Sequence, residues 1–242
     1  MAGTLGTVVE IHRHPVKSMR GERLDRVTLD GAGVAGDREW ALLDRMRQWA
    51  SAKTNRGRWR LVDGMLDLVA RTDADGTVTV TLPDGRIATP GDPDADELLS
   101  EHLGRDLRFD RGDRGYRWGR HHDAAPLHLV TSAALTAFAG PDGVPLDPRR
   151  LRPNLVVRTT DGAEGFVEDG WIGRDLVIGS ARMRVTERTI RCVMTTRAQG
   201  DDVAADTSVL PRIGERNGAA AGVYLAVLVP GEVAVGDPVT PA

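Results

Sequence analysis

The sequence predicts an α+β, β-rich protein with a few peripheral helices. Three observations lead there. Most periodic segments alternate apolar and polar residues, the two-residue period of a half-buried strand. One stretch carries a well-specified helical pattern, and one other a shorter version. The strands are not separated by regular helical crossovers, which argues against a Rossmann-type parallel sheet.

In chain order, Thr7-Val8-Val9-Glu10-Ile11-His12 reads as the first strand, and Leu24 to Leu29 alternates as a second. Gly31 to Arg38 is a glycine-rich turn, followed by a strand around Trp40 to Leu43. Thr77 to Leu82, Pro83-Asp84-Gly85 and Arg86-Ile87-Ala88 form a hairpin with strong turn residues. The specified helix takes Asp92 as its cap and Pro93 in its first turn. Ala95, Leu98, Leu99, His102 and Leu103 lie on one face, and Gly104 ends it. Thr131 to Ala139 is the shorter helix. A soft boundary lies in the loop-like Gly112 to His122. From Asn154 the strand pattern returns, at Leu155 to Val157, Leu176 to Ile178, Met183 to Thr186 and Gly222 to Val229.

With 242 residues the chain makes one large domain or two small ones. Its net charge of −3 supplies no bulk attraction to nucleic acid or to anionic membranes. The longest apolar run, Ala219 to Val229, is too short to span a bilayer. Met1 to Thr4 leads straight into a strand with no secretory pattern. With a single cysteine, this predicts a cytoplasmic protein. Of the 32 basic residues only Lys17 and Lys53 are lysines. Arginine bias explains the rest, so a lysine retained at Lys17 is harder to dismiss as generic surface charge.

Several constellations could carry chemistry. Cys192, in Thr189-Ile190-Arg191-Cys192-Val193-Met194-Thr195-Thr196, is the only thiol and sits in a β-prone stretch. It leaves three uses open: packing, nucleophilic or sulfur chemistry, or one soft bond to a metal held by other groups. Lys17 and Ser18, at the end of the first strand in His14-Pro15-Val16-Lys17-Ser18, pair a point charge with a hydroxyl, as phosphate binding requires; an exposed strand end is the plain alternative. Gly36-Asp37-Arg38 offers close backbone approach and a guanidinium fork, or simply a tight turn with a surface ion pair. Asp147-Pro148-Arg149-Arg150-Leu151-Arg152-Pro153-Asn154 is a stiff arginine-rich entry to a strand, suited to an anion. Arg105, Arg108, Arg111, Arg114, Arg117 and Arg120 recur every third residue, and suggest a basic flap over an anionic pocket or arginine bias alone. His121-His122-Asp123 is a weak metal candidate, because adjacent histidines in a strand face opposite ways.

Taken in order, these pieces resemble the MOSC family, named for the C-terminal domain of molybdenum cofactor sulfurase. The matching residues are His14 to Ser18, Gly36-Asp37-Arg38 with Trp40, and Asp123 to Thr131. They continue through Arg150 to Val157, Trp171-Ile172-Gly173 with Ile178-Gly179, Arg191 to Thr196, and Gly236-Asp237-Pro238-Val239. The arrangement is similar to the amidoxime reducing components and their bacterial relatives. The resemblance implies a β-barrel-like N-terminal segment over residues 1–112 and the MOSC domain proper over 113–242. It implies that Cys192 ligates molybdenum in a molybdopterin cofactor, with Arg191 beside it favouring the thiolate. Lys17, Ser18, Arg38, Arg152, Asn154 and Arg191 would hold the cofactor, and Asp123 would either relay protons or simply cap a turn. The implied activity is reduction of N-hydroxylated compounds, such as amidoximes and hydroxylamines. Electrons would come from a separate ferredoxin- or cytochrome-type donor with its reductase, since this chain carries no ferredoxin-like extension. The alternative is a persulfide carrier or a carrier of the cofactor. Sulfurases join this domain to a pyridoxal-phosphate aminotransferase-like domain that is absent from this sequence.

Overall fold

The computed structural model describes residues 3–113 and 116–242. Arg114 of the arginine series and the neighbouring Gly115 lie outside them. Seven strands close a barrel in the order Gly6–Arg13, Leu155–Thr159, Leu127–Thr131, Ala220–Val229, Ala181–Ile190, Asp175–Ile178 and Pro238–Pro241, which pairs back onto Gly6–Arg13. The Leu127–Thr131 and Leu155–Thr159 pair is parallel; the other barrel pairs are antiparallel. With three α-helices among the described residues, the fold is the α+β, β-rich class that the sequence predicts.

Period-two alternation builds the lumen. Leu127 and Leu129, Leu155 and Val157, Leu176 and Ile178, Met183 and Val185, and Val223 and Leu225 are each two apart, and all are fully buried in one core. On the outer face, Val130, Val156 and Ala221 are covered by Leu135 and Phe138 and by Ile213 of the helix Val209–Asn217. Burial on both faces explains why Leu127–Thr131 and Leu155–Thr159 read as nearly continuous apolar runs. Gly222 interrupts its strand at φ 77°, and a Cβ there would overlap the Leu129 carbonyl and the His128 ring. Glycine is what lets these two strands approach.

A second core lies beside the barrel. The sheet of Leu107–Arg111, Trp40–Asp44, Trp49–Ser51 and Trp59–Leu61, the three-stranded sheet of Ile87–Ala88, Val78–Thr81 and Val69–Thr72, and the helix Ala95–Leu103 enclose Leu42, Met65, Leu68, Leu99 and Leu107. Val16 and Met19, just past the first barrel strand, join this core, as do Met194 and the partly buried Cys192. The seam between the two cores therefore runs through segments 14–20 and 190–196.

Three local expectations change. The specified helix starts at Ala95 with Asp94 as its N-cap. The Asp92 carbonyl accepts from the Ala95 amide at 3.2 Å, so Asp92 and Pro93 form the turn leading in; Gly104 does end the helix, at φ 63°. The Cys192 stretch is not continuous strand: the strand ends at Ile190, and Val193–Thr196 is a 3-10 turn. The helix Val209–Asn217 gave no readable pattern, because Pro211 and Gly214 interrupt it. Pro211 falls in the first turn, where no intrahelical amide bond is lost. The shorter helix forms over Ser132–Ala137, with the Thr131 hydroxyl accepting from the Ala134 amide. No helix among the described residues is long and apolar enough to cross a membrane.

Glu168 is fully buried against the barrel. One carboxyl oxygen accepts from the Thr131 hydroxyl at 2.6 Å, and the other has no partner. Burial pushes its pKa up to about 7. A carboxyl whose native value lies above its unfolded value keeps full stability below the unfolded value and loses it as pH rises to the native one. Stability should thus fall between about pH 4.5 and 7, by on the order of 3 kcal/mol in total. Urea titrations across that range should show the slope in the parent protein and a much flatter profile in Glu168→Gln. Equal slopes in both would show that Glu168 does not set it.

Candidate functional site

The chain leaves the first barrel strand through His14 to Met19, and this turn is pinned from several sides. The His14 amide donates to Asp37 Oδ1 at 2.6 Å, and the Arg38 amide donates to the His14 carbonyl at 2.7 Å. The Lys17 amide donates to the Trp40 carbonyl at 2.8 Å. Asp37 is fully buried, and its other oxygen pairs with the Arg38 guanidinium. Opposite stands the 3-10 turn Pro148–Leu151, ending at Arg152, and next to it the end of the strand Ala181–Ile190 with Arg191 and Cys192. Ser18, Arg38 and Arg152 all have positive φ, at 65°, 52° and 51°. Such backbone strain in non-glycine residues costs on the order of 1–3 kcal/mol each and collects at functional sites.

Between these segments is a small cleft. Lys17, Ser18, Arg38, Asp123, Arg152, Arg191 and Cys192 line it, so the fold brings together seven of the eight residues singled out from the sequence. Asn154 is the exception. It is buried behind the wall, accepting from the His128 amide at 3.2 Å and donating to the His12 carbonyl at 3.2 Å. It fixes the strand that carries Arg152. Among the described residues, the arginine series contributes nothing to the lining: Arg111 pairs with Glu39, and Arg120 with Asp30. His121 and His122 are both buried, His121 against Asp110 and His122 against the Ala32 carbonyl. No group of three or more metal-ligating side chains forms among the described residues.

The cleft holds more positive charge than it neutralises. Lys17 Nζ is nearly inaccessible and donates to the His121 carbonyl at 2.8 Å and to Asp123 Oδ1 at 2.7 Å, with the Trp49 ring 4.6 Å away. Two of its three donors are therefore taken. Lys53 pairs with the other Asp123 oxygen, and Trp59 Nε1 donates to Oδ1 at 3.1 Å. Burial raises the Asp123 pKa, but Lys17 and Lys53 overcome it and hold the carboxyl well below the usual range. Burial pulls Lys17 down to about 7 against the attraction of Asp123.

Arg152 has no acid to itself. One of its nitrogens donates to the Met19 carbonyl at 2.6 Å, and Nη2 is buried without a partner. Burial and then Arg38 pull it down to about 9. Arg191 donates to the Leu151 carbonyl, and its Nε is buried and unpaired. Burial lowers its pKa too. Buried, unpaired nitrogens on two guanidiniums, Arg152 Nη2 and Arg191 Nε, are what an anionic ligand would satisfy. Cys192, the one thiol, is half-exposed on the wall beside them.

Sequence reasoning missed three further lining residues. The rarity argument that picked out Lys17 applied equally to Lys53. His128 and Tyr224 each sit between two inward apolar residues, so alternation alone marked them as outward-facing polar side chains.

The structure is a β-barrel with a cation-rich cleft and one thiol on its wall, an arrangement whose charge suits a small anionic ligand. The chain belongs to the MOSC family: the MOSC domain matches residues 116–240, and the MOSC N-terminal beta barrel domain matches residues 5–105. Some members of this family bind the molybdenum cofactor. No curated protein matches the sequence. Among solved structures, the YuaD protein from Bacillus subtilis is 12% identical over 99% of this chain and 97% of its own, with a TM-score of 0.49. YiiM from Geobacillus stearothermophilus is 19% identical over 49% of this chain and 54% of its own, with a TM-score of 0.36.

Proposed function

We propose that the cleft holds a molybdenum pterin cofactor, and that the protein uses it to reduce N-hydroxylated compounds to amines. The observation carrying this reading is one partly buried thiol in the same small cleft as two guanidiniums, the buried Arg152 and the partly buried Arg191, each with a buried nitrogen left unpaired. A pterin with a dithiolene and a phosphate needs one protein sulfur and a set of anion donors, and both are present. Cys192 would ligate the metal; Arg152, Arg191, Ser18 and Arg38 would hold the phosphate end. When bound, the cofactor supplies a two-electron centre able to accept oxygen. Lys17 acts differently from the sequence expectation: its ammonium mainly orients Asp123, with one donor left for a ligand. Asp123, held ionised by two lysines, serves better as a clamp that keeps Lys17 and Lys53 at the cleft than as a proton donor. Lys17, near pH 7 in the cleft, is the group placed to deliver protons.

Overall, an N-hydroxyl compound, two protons and two electrons give an amine and water. One thiol cannot hold an iron–sulfur cluster, so the electrons come from a separate protein. Protein purified from a cofactor-competent host should contain molybdenum and pterin. It should reduce benzamidoxime with reduced methyl viologen and not with NADH alone. Absence of molybdenum and pterin would refute the cofactor assignment; turnover with NADH alone would refute the external donor.

A further inference from the structure

Tyr224 belongs to none of the motifs that mark the cleft. In the strand Ala220–Val229 its neighbours Val223 and Leu225 fill the barrel lumen, so Tyr224 points out onto the cleft wall. His128 lies directly opposite on the paired strand, and the two rings meet edge to face with centroids 5.9 Å apart. His128 is itself buried, with Nε2 3.3 Å from the Ala221 carbonyl. The Tyr224 ring therefore rests on a fixed support.

The polar groups around it are mostly charged: Lys17 and Lys53 pair with Asp123, and Arg191 donates to the Leu151 carbonyl with its Nε left unpaired, while the Thr195 hydroxyl donates to the Cys192 carbonyl. The Tyr224 hydroxyl has no protein hydrogen-bond partner among the described residues. Burial raises its pKa, so it stays protonated at neutral pH. A neutral O–H on a rigid ring, on the same cleft wall as Arg191 and Cys192, is a donor suited to an uncharged ligand. The cations around it are suited to an anion.

We propose that Tyr224 is a catalytic residue, its hydroxyl donating a hydrogen bond to the N–O oxygen of the bound substrate on the Cys192 side of the cleft. This rests on the reductase reading above. The oxygen gains negative charge as the N–O bond weakens, so the hydrogen bond strengthens along the reaction. Tyr224→Phe keeps the ring on His128 and removes only the donor. Parent and variant should be loaded in the same host and assayed with benzamidoxime and reduced viologen. Benzamidoxime binding to the oxidised proteins should be measured by calorimetry. The variant should carry parental molybdenum and pterin, lose about tenfold or more in kcat, and bind benzamidoxime a few-fold more weakly. Parental turnover and affinity in the variant would overturn the assignment alone. Loss of pterin from the variant would also overturn it, by making Tyr224 a cofactor contact. An inactive, fully loaded parent would overturn the reductase reading and this assignment with it.

Discussion

Cys192→Ser should abolish turnover of N-hydroxylated substrates while the protein remains folded. Serine is nearly isosteric, and Cys192 is only partly buried at the edge of the second core, so packing loses little. The chemistry loses far more. A soft, readily ionised sulfur is replaced by a hydroxyl that is a poor molybdenum ligand. The expected loss in kcat/KM is on the order of a thousandfold, or about 4 kcal/mol of barrier. Pterin should remain largely bound, because the phosphate donors proposed for it are Arg152, Arg191, Ser18 and Arg38. Metal analysis and the absorption spectrum of the bound metal should both change. A persulfide detected on Cys192 by mass spectrometry, in a parent that never reduces benzamidoxime, would favour the carrier alternative. A fully active Cys192→Ser protein with normal molybdenum would exclude both readings.

Arg152→Met should separate cofactor affinity from stability. Methionine keeps most of the buried stem and removes the charge. The drop of the Arg152 pKa to about 9 means that holding the charge in the empty cleft costs on the order of 5 kcal/mol. Removing it should leave the thermal midpoint of the cofactor-free protein unchanged or higher. Against that, the bound phosphate loses a charge-assisted bond worth about 1.5–3 kcal/mol. Pterin affinity should fall by roughly 10- to 150-fold. Pterin released from purified protein, with melting curves of the cofactor-free forms, reads both effects. Full pterin occupancy would remove Arg152 from the site. A large fall in midpoint would make the residue structural.

The lumen was legible because five of the seven barrel strands carry two fully buried residues two positions apart, as at Leu176 and Ile178. Gly104 was legible as a helix end because a left-handed C-cap favours glycine. That Lys17, Ser18, Arg38, Arg152, Arg191 and Cys192 stand in motifs at strand ends was legible, and the fold brings them to one cleft. What the sequence could not show was which donors were already spent. Lys17 meets Asp123 across 106 residues, and Asp123 meets Lys53 across 70. No local pattern encodes that clamp, and it changes the assignment of both Lys17 and Asp123. Asn154 likewise read as a ligand donor, because side-chain amides serve strand ladders and ligands equally well. His128 stands within the Asp123 to Thr131 motif, but nothing there marked its side chain as facing a cleft, and Tyr224, a single polar residue in an apolar strand, belongs to no motif.

Gly6–Arg13 is flanked in the barrel by Leu155–Thr159 and Pro238–Pro241, with Gly6 opposite Val239. The two seams of this strand therefore join segments about 150 and more than 200 residues apart, the longest loops that folding must close. Long-range pairings of this kind form slowly. During synthesis the first strand can pair early with Glu22–Leu24, but its two barrel seams close only after Leu155–Thr159 and then Pro238–Pro241 have emerged. Lys17 and Ser18 follow that strand directly, so their side of the cleft takes shape with barrel closure. A cleft ligand then meets its complete site only on a finished chain, and loading becomes a maturation step after folding rather than a nucleus for it.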